Sequence, residues 1–338
     1  MSVWRAIGWM LLALVTMAPQ FPQATGTTAP TLFPPVGEAG DFSVMTYNIK
    51  AQPWPLVSGR AGAVAAIADR LADMRATGRQ PRIVLLQEAF TQQAREIAHQ
   101  AGYRYLTRGP VRVSPGPAAP LGEAYAGAQR WDRGESSAAV FDSGLLILSD
   151  YPILRVAQVG FPSGACAGFD CLASKGVLIA WVSVPGQDQP IAVVNTHLNS
   201  RKSTHVAPDR ADQAQAFQVL SLRKIIDRAI GEGTPTIFGG DTNVGTVPAR
   251  IAAFRAHPPL GDRSHETLKD MLASLMIDDT SLEEVDAIVA RNKDMILTRD
   301  GDRTYFEAMG AAVPFPVNGK ESLSDHAGFM VSFRLSAS

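Results

Sequence analysis

The sequence predicts a single α/β domain of about 300 residues, on three observations. Short apolar runs of strand length alternate along the chain with stretches that have the periodicity of an amphipathic helix. Several of these strands are apolar at nearly every position, which is typical of sheets covered on both faces. No clear linker interrupts residues 41–338, so we expect one folded unit there.

The predicted elements follow one another in mixed order. The strand-like runs are Phe42–Ile49, Arg82–Gln87, Leu145–Leu148, Val177–Val184, Ile191–His197, Thr236–Phe238 and Gly328–Leu335. Helical patterns cover Ala61–Arg75, Gln92–Gln100 and Asp209–Ile230. Two long loops are expected, Arg108–Val140 and Thr304–Ser324, and loops of such length are commonly functional or disordered.

Residues 1–25 are typical of an export signal. Arg5 supplies the positive charge, and Ile7–Met17 is an apolar core that is short for a membrane span. Because no clear cleavage site follows, an uncleaved N-terminal membrane anchor is the alternative. Residues 26–40 are rich in Pro, Thr, Gly and Ala and are predicted to be a flexible lead-in. We therefore expect an exported protein, secreted or periplasmic.

Charge and cysteine content narrow the possible partners and compartment. The net charge is −1 and the sequence pI is near 6.6, so no global positive field supports nucleic-acid binding. Cys166 and Cys171 are the two cysteines, and in an exported protein we expect them to form a disulfide. Two unpaired thiols are the alternative.

Polar side chains recur where the predicted strands end. In α/β folds such positions border the crevice in which ligands bind. A single one would ordinarily be a helix cap or a turn residue, but several together would cost desolvation free energy unless they converge on a charged group. These residues are Asn48, Glu88, His197, Asp241, Asn243, Asp294, Asp325 and His326.

The residue types in this set indicate metal-assisted hydrolysis. Carboxylate and asparagine oxygens are ligands that Mg²⁺ or Mn²⁺ prefers. The sequence has neither a Cys cluster nor an H-E-x-x-H motif, so zinc is not expected. His197 and His326 suit hydrolysis of a phosphate ester, where one activates water and the other stabilises charge or protonates the leaving oxygen.

Six motifs, MTYNI, LLQEAF, NTHL, GGDTNV, KDMI and LSDHAGFMV, resemble in this order the endonuclease/exonuclease/phosphatase superfamily over roughly residues 41–335. The resemblance implies a four-layer sandwich of two mixed β-sheets flanked by helices, as in deoxyribonuclease I. Thr242 occupies a position where an aromatic residue is common, and Tyr47 one where Trp is frequent. Neither departure replaces a group that takes part in the chemistry.

The same resemblance implies the roles of the metal ligands. Glu88 would be the principal ligand, with Asn48 near both metal and phosphate. Asp325 would lie at the metal and fix the local geometry. Mg²⁺ is the expected ion, with Mn²⁺ as an alternative.

The catalytic roles transfer in the same way. His326 would be the general base on the attacking water, and Asp294 would orient the histidine pair. Asp241 and Asn243 would hold the water and the phosphoryl oxygens. His197 would stabilise the transition state or assist the leaving group.

One further segment, FDCLASKGVLIAWVSV, is similar to the Asp-x-Leu-Ala-Ser-Lys segment of neutral sphingomyelinases. In that branch the lysine contacts the substrate phosphate and the aspartate is its partner, which implies these roles for Lys175 and Asp170. A lysine point charge suits a phosphodiester. A solvated loop lysine is the alternative.

The loop Thr304–Ser324 suggests contact with a membrane. In secreted bacterial sphingomyelinases, which this chain resembles, an apolar hairpin near this place enters the bilayer. We expect membrane docking here, with packing on the core as the alternative. Trp54 and Trp131 could anchor the protein at the membrane interface in the same way, with packing on the core as the alternative. The apolar residues of the loop are Tyr305, Phe306, Met309, Val313 and Phe315.

The sequence thus predicts an exported Mg²⁺-dependent phosphodiesterase of the sphingomyelinase C type. Its partner would be sphingomyelin or a related phospholipid at a membrane surface, from which it releases the phosphorylated head group. The first alternative is a secreted metal-dependent nuclease or phosphomonoesterase, and only a nuclease would bind nucleic acid. The second alternative is a non-catalytic membrane-binding module. No obligate protein partner is evident.

Overall fold

The structure, a computed structural model, describes residues 42–53, 57–111, 121–273, 282–317, 319 and 322–337. The predictions for the export signal, the lead-in and Trp54 lie outside these residues. Among the described residues, no helix combines the length and the apolar character needed to cross a bilayer.

The helices and strands occur in mixed order along the chain. The strands are β1 (Phe42–Ala51), β2 (Ile83–Ala89), β3 (Tyr105–Arg108), β4 (Leu146–Ser149), β5 (Ile153–Gly160), β6 (Gly176–Val182), β7 (Ile191–His197), β8 (Thr236–Asp241), β9 (His265–Glu266), β10 (Asp294–Arg299), β11 (Thr304–Phe315) and β12 (Gly328–Ala337). The helices are α1 (Arg60–Ala76), α2 (Gln92–Gln100), α3 (Glu123–Gly127), α4 (Pro208–Ala229), α5 (Pro248–Ala256), α6 (Thr267–Ala273) and α7 (Leu282–Arg291).

The described strands form two six-stranded mixed sheets. Sheet A has the order β11-β12-β1-β2-β4-β3, and sheet B has the order β5-β6-β7-β8-β10-β9. Side chains alternate across each strand, so in β1 Val44 packs between the sheets while Met45 packs on the outer face of sheet A. Helices α1 and α2 cover that outer face, and α4 covers the outer face of sheet B. The four-layer sandwich that the sequence predicts is confirmed.

The segment Thr304–Ser324 is not a loop over its whole length, so this prediction is wrong. Residues 304–315 form β11, which pairs antiparallel with β12 at the edge of sheet A. Side chains of this strand alternate between inward and outward positions, and Phe306 and Val313 pack against the core between the sheets. Phe315 is fully buried against Tyr47. The alternation was hidden by Gly310 and Pro314, which are uncommon inside strands.

Two parallel strand pairs gather the polar strand ends at one edge of the sandwich. β1 runs parallel to β2 with Asn48 opposite Gln87, and β7 runs parallel to β8 with His197 opposite Asp241. Parallel strands end at the same edge of their sheet. β10 is antiparallel to β8 and begins with Asp294 opposite Asp241, so its first residue lies at that edge as well.

A buried polar contact joins the two sheets beneath this edge. Gln87 of sheet A donates from Nε2 to Oδ1 of Asn195 in sheet B at 2.8 Å. Asn195 in turn donates from Nδ2 to the backbone oxygens of Leu86 and Leu146, both at 2.9 Å. Both side chains are fully buried. Each such bond contributes about 1 kcal/mol, and an unpaired partner would cost more, so the pair fixes how the sheets are stacked.

Candidate active site

Sheet A contributes a carboxylate held by amides. Asn48 Nδ2 donates to Glu88 Oε1 at 3.0 Å, and Gln52 Nε2 donates to Glu88 Oε2 at 2.6 Å. Glu88 has a φ of 56°, which is uncommon for a residue with a long side chain. Two amide donors therefore hold a carboxylate that stands on a strained backbone at the end of β2.

Sheet B brings its catalytic candidates close together through two glycines. Gly239 faces Leu85 of the other sheet, where a Cβ would come within 2.5 Å of Leu85 Cδ1. Gly240 has a φ of 145°, and a Cβ there would lie 2.1 Å from the backbone oxygen of Thr196. The φ and the backbone contact at Gly240 require glycine, whereas a side chain at Gly239 would displace the end of Leu85. These contacts explain why the chain places two glycines immediately before Asp241.

One oxygen of Asp241 is the centre of the site. Its Oδ2 accepts a hydrogen bond from Asn48 Nδ2 at 3.1 Å. The same oxygen lies 3.5 Å from His197 Nε2 and 3.6 Å from His326 Nε2. Because Asn48 also bonds Glu88, the carboxylates of both sheets are connected through a single amide. The structure thus brings together residues that are almost 280 positions apart in the chain.

Asp294 and His326 form a buried ion pair. His326 Nδ1 lies 2.9 Å from Asp294 Oδ1 and 2.8 Å from Oδ2. The pair fixes the ring so that Nε2 faces Asp241. Asp294 does not make a comparable contact with His197 among the hydrogen bonds of the described residues. Its expected orienting effect therefore has a structural basis for His326 but not for His197.

The two histidines have opposite pKa shifts. Burial disfavours the charged form of His326, but the carboxylates of Asp294 and Asp241 outweigh it and raise the pKa of His326 to about 9. Burial and the charge of Lys175 lower the pKa of His197, although Asp241 opposes them. Without a bound ion, His326 is protonated and His197 neutral at pH 7.

Asp241 itself is stabilised as a carboxylate. Burial opposes its ionisation, but the charges of His326 and Lys293, the charge that His197 carries at low pH and the hydrogen bond from Asn48 lower the pKa of Asp241 to about 2. His197 Nδ1 is buried and has no hydrogen-bond partner among the described residues. This nitrogen is therefore a buried polar atom without a partner in the described part of the chain.

Lys175 and Asp170 are a buried pair next to this cluster. Lys175 Nζ donates to Asp170 Oδ2 at 2.8 Å and to the backbone oxygen of Leu198 at 3.0 Å. Asn243 Nδ2 donates to that same oxygen at 3.1 Å. Lys175 is therefore not a solvated loop lysine, because its side chain is buried and connected through Leu198 to the end of β8.

The fully buried side chain of Arg250 holds these loops in place through hydrogen bonds. Its Nε donates to Asp212 Oδ1 at 2.6 Å, and its Nη1 donates to the backbone oxygens of Asn199 and Asn243 at 2.9 and 2.7 Å. The guanidinium thus links the loop after β7 to the loop after β8 by hydrogen bonds to both. An arginine on α5 would be expected at the surface, so only its sequence position near GGDTNV could have drawn attention to it.

Asp325 lies at the rim of the site. Its side chain is more than half exposed, and Oδ2 accepts from Lys50 Nζ at 2.8 Å. Asn48 presents its amino group to Glu88, since its Oδ1 accepts from the backbone nitrogen of Lys50. The structure therefore places both residues at the site, and their roles as metal ligands stay predictions.

The donor set fits a hard divalent cation. Glu88 is partly exposed and has no lysine or arginine within ion-pair distance among the described residues, so its charge is balanced only by amide dipoles. Asp241, Asp294 and His326 also offer ligand atoms that lie within 4.8 Å of one another and could bind a metal ion. Oxygen-rich sites of this kind suit Mg²⁺ or Mn²⁺.

The cysteines are bonded as expected. Cys166 and Cys171 form a disulfide with their Cα atoms 5.3 Å apart, and no free cysteine exists in the chain. The bond closes the loop that carries Asp170. A disulfide fits a protein of an oxidising compartment.

Comparisons with known proteins identify the family and the fold. The family model for the Endonuclease/Exonuclease/phosphatase family matches residues 45–326. Sphingomyelinase C of Listeria ivanovii is 29% identical over 172 residues, which are 48% of this chain and 45% of that protein. The chain thus matches somewhat less than half the length of this relative.

Two solved structures have a similar fold. Sphingomyelinase C from Streptomyces griseocarneus superposes with a TM-score of 0.55 at 20% identity, covering 86% of this chain and 99% of that chain. A mutant of beta toxin from Staphylococcus aureus with bound magnesium ions superposes with a TM-score of 0.53 at 18% identity, with the same coverage. At these identities the likeness concerns the fold.

Proposed function

Because the chain belongs to the Endonuclease/Exonuclease/phosphatase family, we propose that it is a Mg²⁺-dependent phosphodiesterase of the sphingomyelinase C type. It would hydrolyse sphingomyelin or a related phospholipid outside the cytoplasm and release the phosphorylated head group. The observation that carries this proposal is the convergence on Asp241 Oδ2 of Asn48, His197 and His326, with Glu88 attached through Asn48.

Glu88 would hold the cation from the sheet A side, and Asp241 faces it through the shared Asn48 amide. When bound, the divalent cation supplies charge that activates the phosphoryl oxygen and favours the neutral form of the nearby His326. The beta toxin structure with bound magnesium ions supports Mg²⁺ as the ion. The oxygen-rich donor set of this chain supports it independently.

Neutral His326 has the geometry of a general base. Its Nδ1 is held by Asp294, so Nε2 remains to accept a proton from the attacking water. The buried carboxylate stabilises the imidazolium that results, as an acid behind a catalytic histidine does in other hydrolases. A positioned base of this kind contributes roughly 10²- to 10⁴-fold to the rate.

His197 fits a different task. Its lowered pKa keeps the ring neutral, so it would donate a hydrogen bond to a phosphoryl oxygen and stabilise the transition state. This favours transition-state stabilisation over proton donation to the leaving group by an imidazolium. Lys175 adds a fixed positive charge that Asp170 and the Leu198 carbonyl hold in position. A single cationic nitrogen suits the single charge of a phosphodiester.

The lipid substrate is supported by the Asp170–Lys175 segment and by the similarity to sphingomyelinase C of Listeria ivanovii. The disulfide supports export. The near-zero net charge does not favour a nuclease, for which a basic groove is usual. The phospholipid would be presented at a membrane surface.

The test measures phosphocholine release from liposomes that contain sphingomyelin or phosphatidylcholine. We expect release with Mg²⁺, its loss with EDTA and its return when Mg²⁺ is added in excess. Nicking of a supercoiled plasmid and hydrolysis of a phosphomonoester are measured under the same conditions. Metal-dependent plasmid nicking or phosphomonoester hydrolysis without phosphocholine release would replace the lipid proposal with one of those activities.

A further inference from the structure

Three loops next to the Lys175–Asp170 pair form an exposed surface that the proposed chemistry does not use. Trp131 is 80% exposed, the highest value for a large apolar side chain in the described part of the chain. Phe169, on a neighbouring loop, is 38% exposed. We define the Trp131 surface by Trp131, Arg133, Phe169, Arg201, Lys202 and His205.

Hydrogen bonds link the three loops of this surface to one another. The backbone nitrogen of Gly168 donates to Glu135 Oε1 at 2.8 Å, and Glu135 is buried in a bidentate contact with Arg210. The backbone nitrogen of Phe169 donates to the backbone oxygen of Thr204 at 3.2 Å. The disulfide lies in the same loop. The aromatic side chains are thus presented to solvent on a supported framework, where their exposure costs hydrophobic free energy.

The charges around these aromatic rings are mainly positive. The guanidinium of Arg133 lies 5.7 Å from the ring centroid of Phe169, and the ring of His205 packs edge-on at 5.6 Å. Arg201 and Lys202 are exposed on the third loop. Asp132 is an exposed acid of this region that lies within ion-pair distance of Arg130 and Arg133, and Arg201 lies 3.4 Å from Asp212. The basic residues still outnumber these acids. Aromatic side chains surrounded by basic residues are complementary to an interface with anionic head groups.

The surface is continuous with the site. Phe169 directly precedes Asp170, whose Oδ2 accepts from Lys175 Nζ at 2.8 Å and from the backbone nitrogen of Ser200 at 2.6 Å. A membrane that covers Phe169 would therefore lie next to the lysine that is proposed to bind the substrate phosphate. This position favours a lipid surface over a protein as the occupant.

We propose that the Trp131 surface docks on a phospholipid bilayer that contains anionic lipid. Trp131 and Phe169 would enter the interface, and Arg133, Arg201 and Lys202 would contact head groups. The proposal deepens the proposed function and rests on it for the identity of the substrate. It also differs from the expectation for β11, where the exposed apolar side chains Tyr305 and Met309 reach 41% and 39%, about half the value of Trp131.

The test measures binding of the full chain to phosphatidylcholine vesicles with and without phosphatidylglycerol, in EDTA so that lipid is not hydrolysed. We expect Trp131→Ala to weaken partitioning about tenfold, the change that losing roughly 60 Å² of apolar contact would cause. Replacing Arg201 and Lys202 by Gln should weaken it several-fold, only with phosphatidylglycerol and only at low salt.

Leu154→Ala is the matched control, because Leu154 is 60% exposed on β5 and outside the surface. It should bind like the wild type. Trp131→Phe should retain most of the binding, while quenching of tryptophan fluorescence by brominated lipid should decrease in this variant. Wild-type binding by Trp131→Ala, or an equal loss in Leu154→Ala, would overturn the proposal.

Hydrolysis of a water-soluble phosphodiester distinguishes this proposal from the proposed function. Trp131→Ala should cleave the soluble ester at the wild-type rate but cleave vesicle lipid about tenfold more slowly. Vesicle binding that depends on Trp131 without any lipid hydrolysis would contradict the proposed function and leave docking intact. Lipid hydrolysis and vesicle binding that are both unaffected by Trp131→Ala would contradict docking alone.

Discussion

The sheet A half of the site and the sheet B half hold their charges in different ways. In sheet A, Glu88 is partly exposed, and in the described part of the chain its two oxygens accept only from the amides of Asn48 and Gln52. In sheet B, the carboxylates of Asp241 and Asp294 are buried, and each contacts histidine nitrogens. The sheet A carboxylate thus has no neutralising cation among the described residues, while the sheet B carboxylates are paired with histidines.

This difference assigns separate properties to the two halves. Affinity for the cation should depend mainly on sheet A, where the carboxylate is oriented but not neutralised. The protonation states of the two site histidines should depend mainly on the sheet B residues, because burial and nearby charges shift the pKa values of these histidines. His326 joins the halves, because it precedes β12 of sheet A but pairs with Asp294 of sheet B.

The largest expected effect is that of His326→Ala on turnover. Removal of the proposed base should lower kcat for vesicle lipid on the order of 10³-fold while the Mg²⁺ concentration for half-maximal activity stays nearly unchanged. Asp294→Asn should lower kcat less, because the ring remains but loses the carboxylate that stabilises its charged form. Steady-state kinetics over a range of Mg²⁺ concentrations measures both quantities.

His99→Ala is the control for this prediction, since His99 lies exposed on α2 away from the site. It should leave both quantities at the wild-type value. Unchanged turnover in His326→Ala, with the fold verified by circular dichroism, would exclude His326 as the base.

An intermediate effect is expected for Gln52→Ala. Loss of the amide that donates to Glu88 Oε2 at 2.6 Å should raise the Mg²⁺ concentration for half-maximal activity about 10- to 100-fold. At saturating Mg²⁺ kcat should approach the wild-type value, because the sheet B groups are untouched. Calorimetric titration with Mg²⁺ gives a second measurement that does not depend on turnover.

Gln92→Ala provides the matched control, because Gln92 also donates at 2.6 Å to a carboxylate, that of Glu96, but on the exposed face of α2. Its Mg²⁺ dependence should equal that of the wild type. A fall in kcat at saturating Mg²⁺ without a change in the Mg²⁺ requirement of Gln52→Ala would contradict the division between the halves.

Within each sheet, the gathering of the site residues was predictable because it follows from strand polarity. The apolar runs that contain Asn48 and His197 are central strands, and their parallel partners end with Glu88 and Asp241. Residues at the ends of parallel strands share an edge of their own sheet, so strand polarity brings Asn48 to Glu88 and His197 to Asp241. That the two pairs meet across the sheets was implied by the family resemblance of the motifs and not by strand polarity.

Other parts of the site could not be predicted because they depend on the stacking of the sheets. Gln52 lies beyond the end of β1, and nothing local to it indicates that its amide reaches Glu88. Arg250 is a buried cation on a helix, which composition alone does not suggest. Phe306 and Phe315 were expected in a loop because Gly310 and Pro314 interrupt their segment, yet pairing with β12 decides their conformation.

The smallest effect concerns the stability of the ion-free protein as a function of pH. The pKa of His326 is about 9 in the folded chain and near 6.5 when unfolded, so its ion pair contributes fully below pH 6.5. The contribution is lost as pH rises through 9. In EDTA the free energy of unfolding should therefore fall by roughly 1–3 kcal/mol between pH 6.5 and 9.

His197 has the opposite shift and acts in a different range. Because its folded pKa is lowered, its contribution is present above pH 6.5 and is lost below it, outside the window of the test. The control is the double variant His326→Gln with Asp294→Asn, which keeps an amide pair of similar shape but has no titrating group. Denaturant unfolding in EDTA should show that the difference between wild type and this variant shrinks from pH 6.5 to 9. A constant difference would mean that the Asp294–His326 pair is not charged in the ion-free site, and the proton would have to be assigned elsewhere in sheet B.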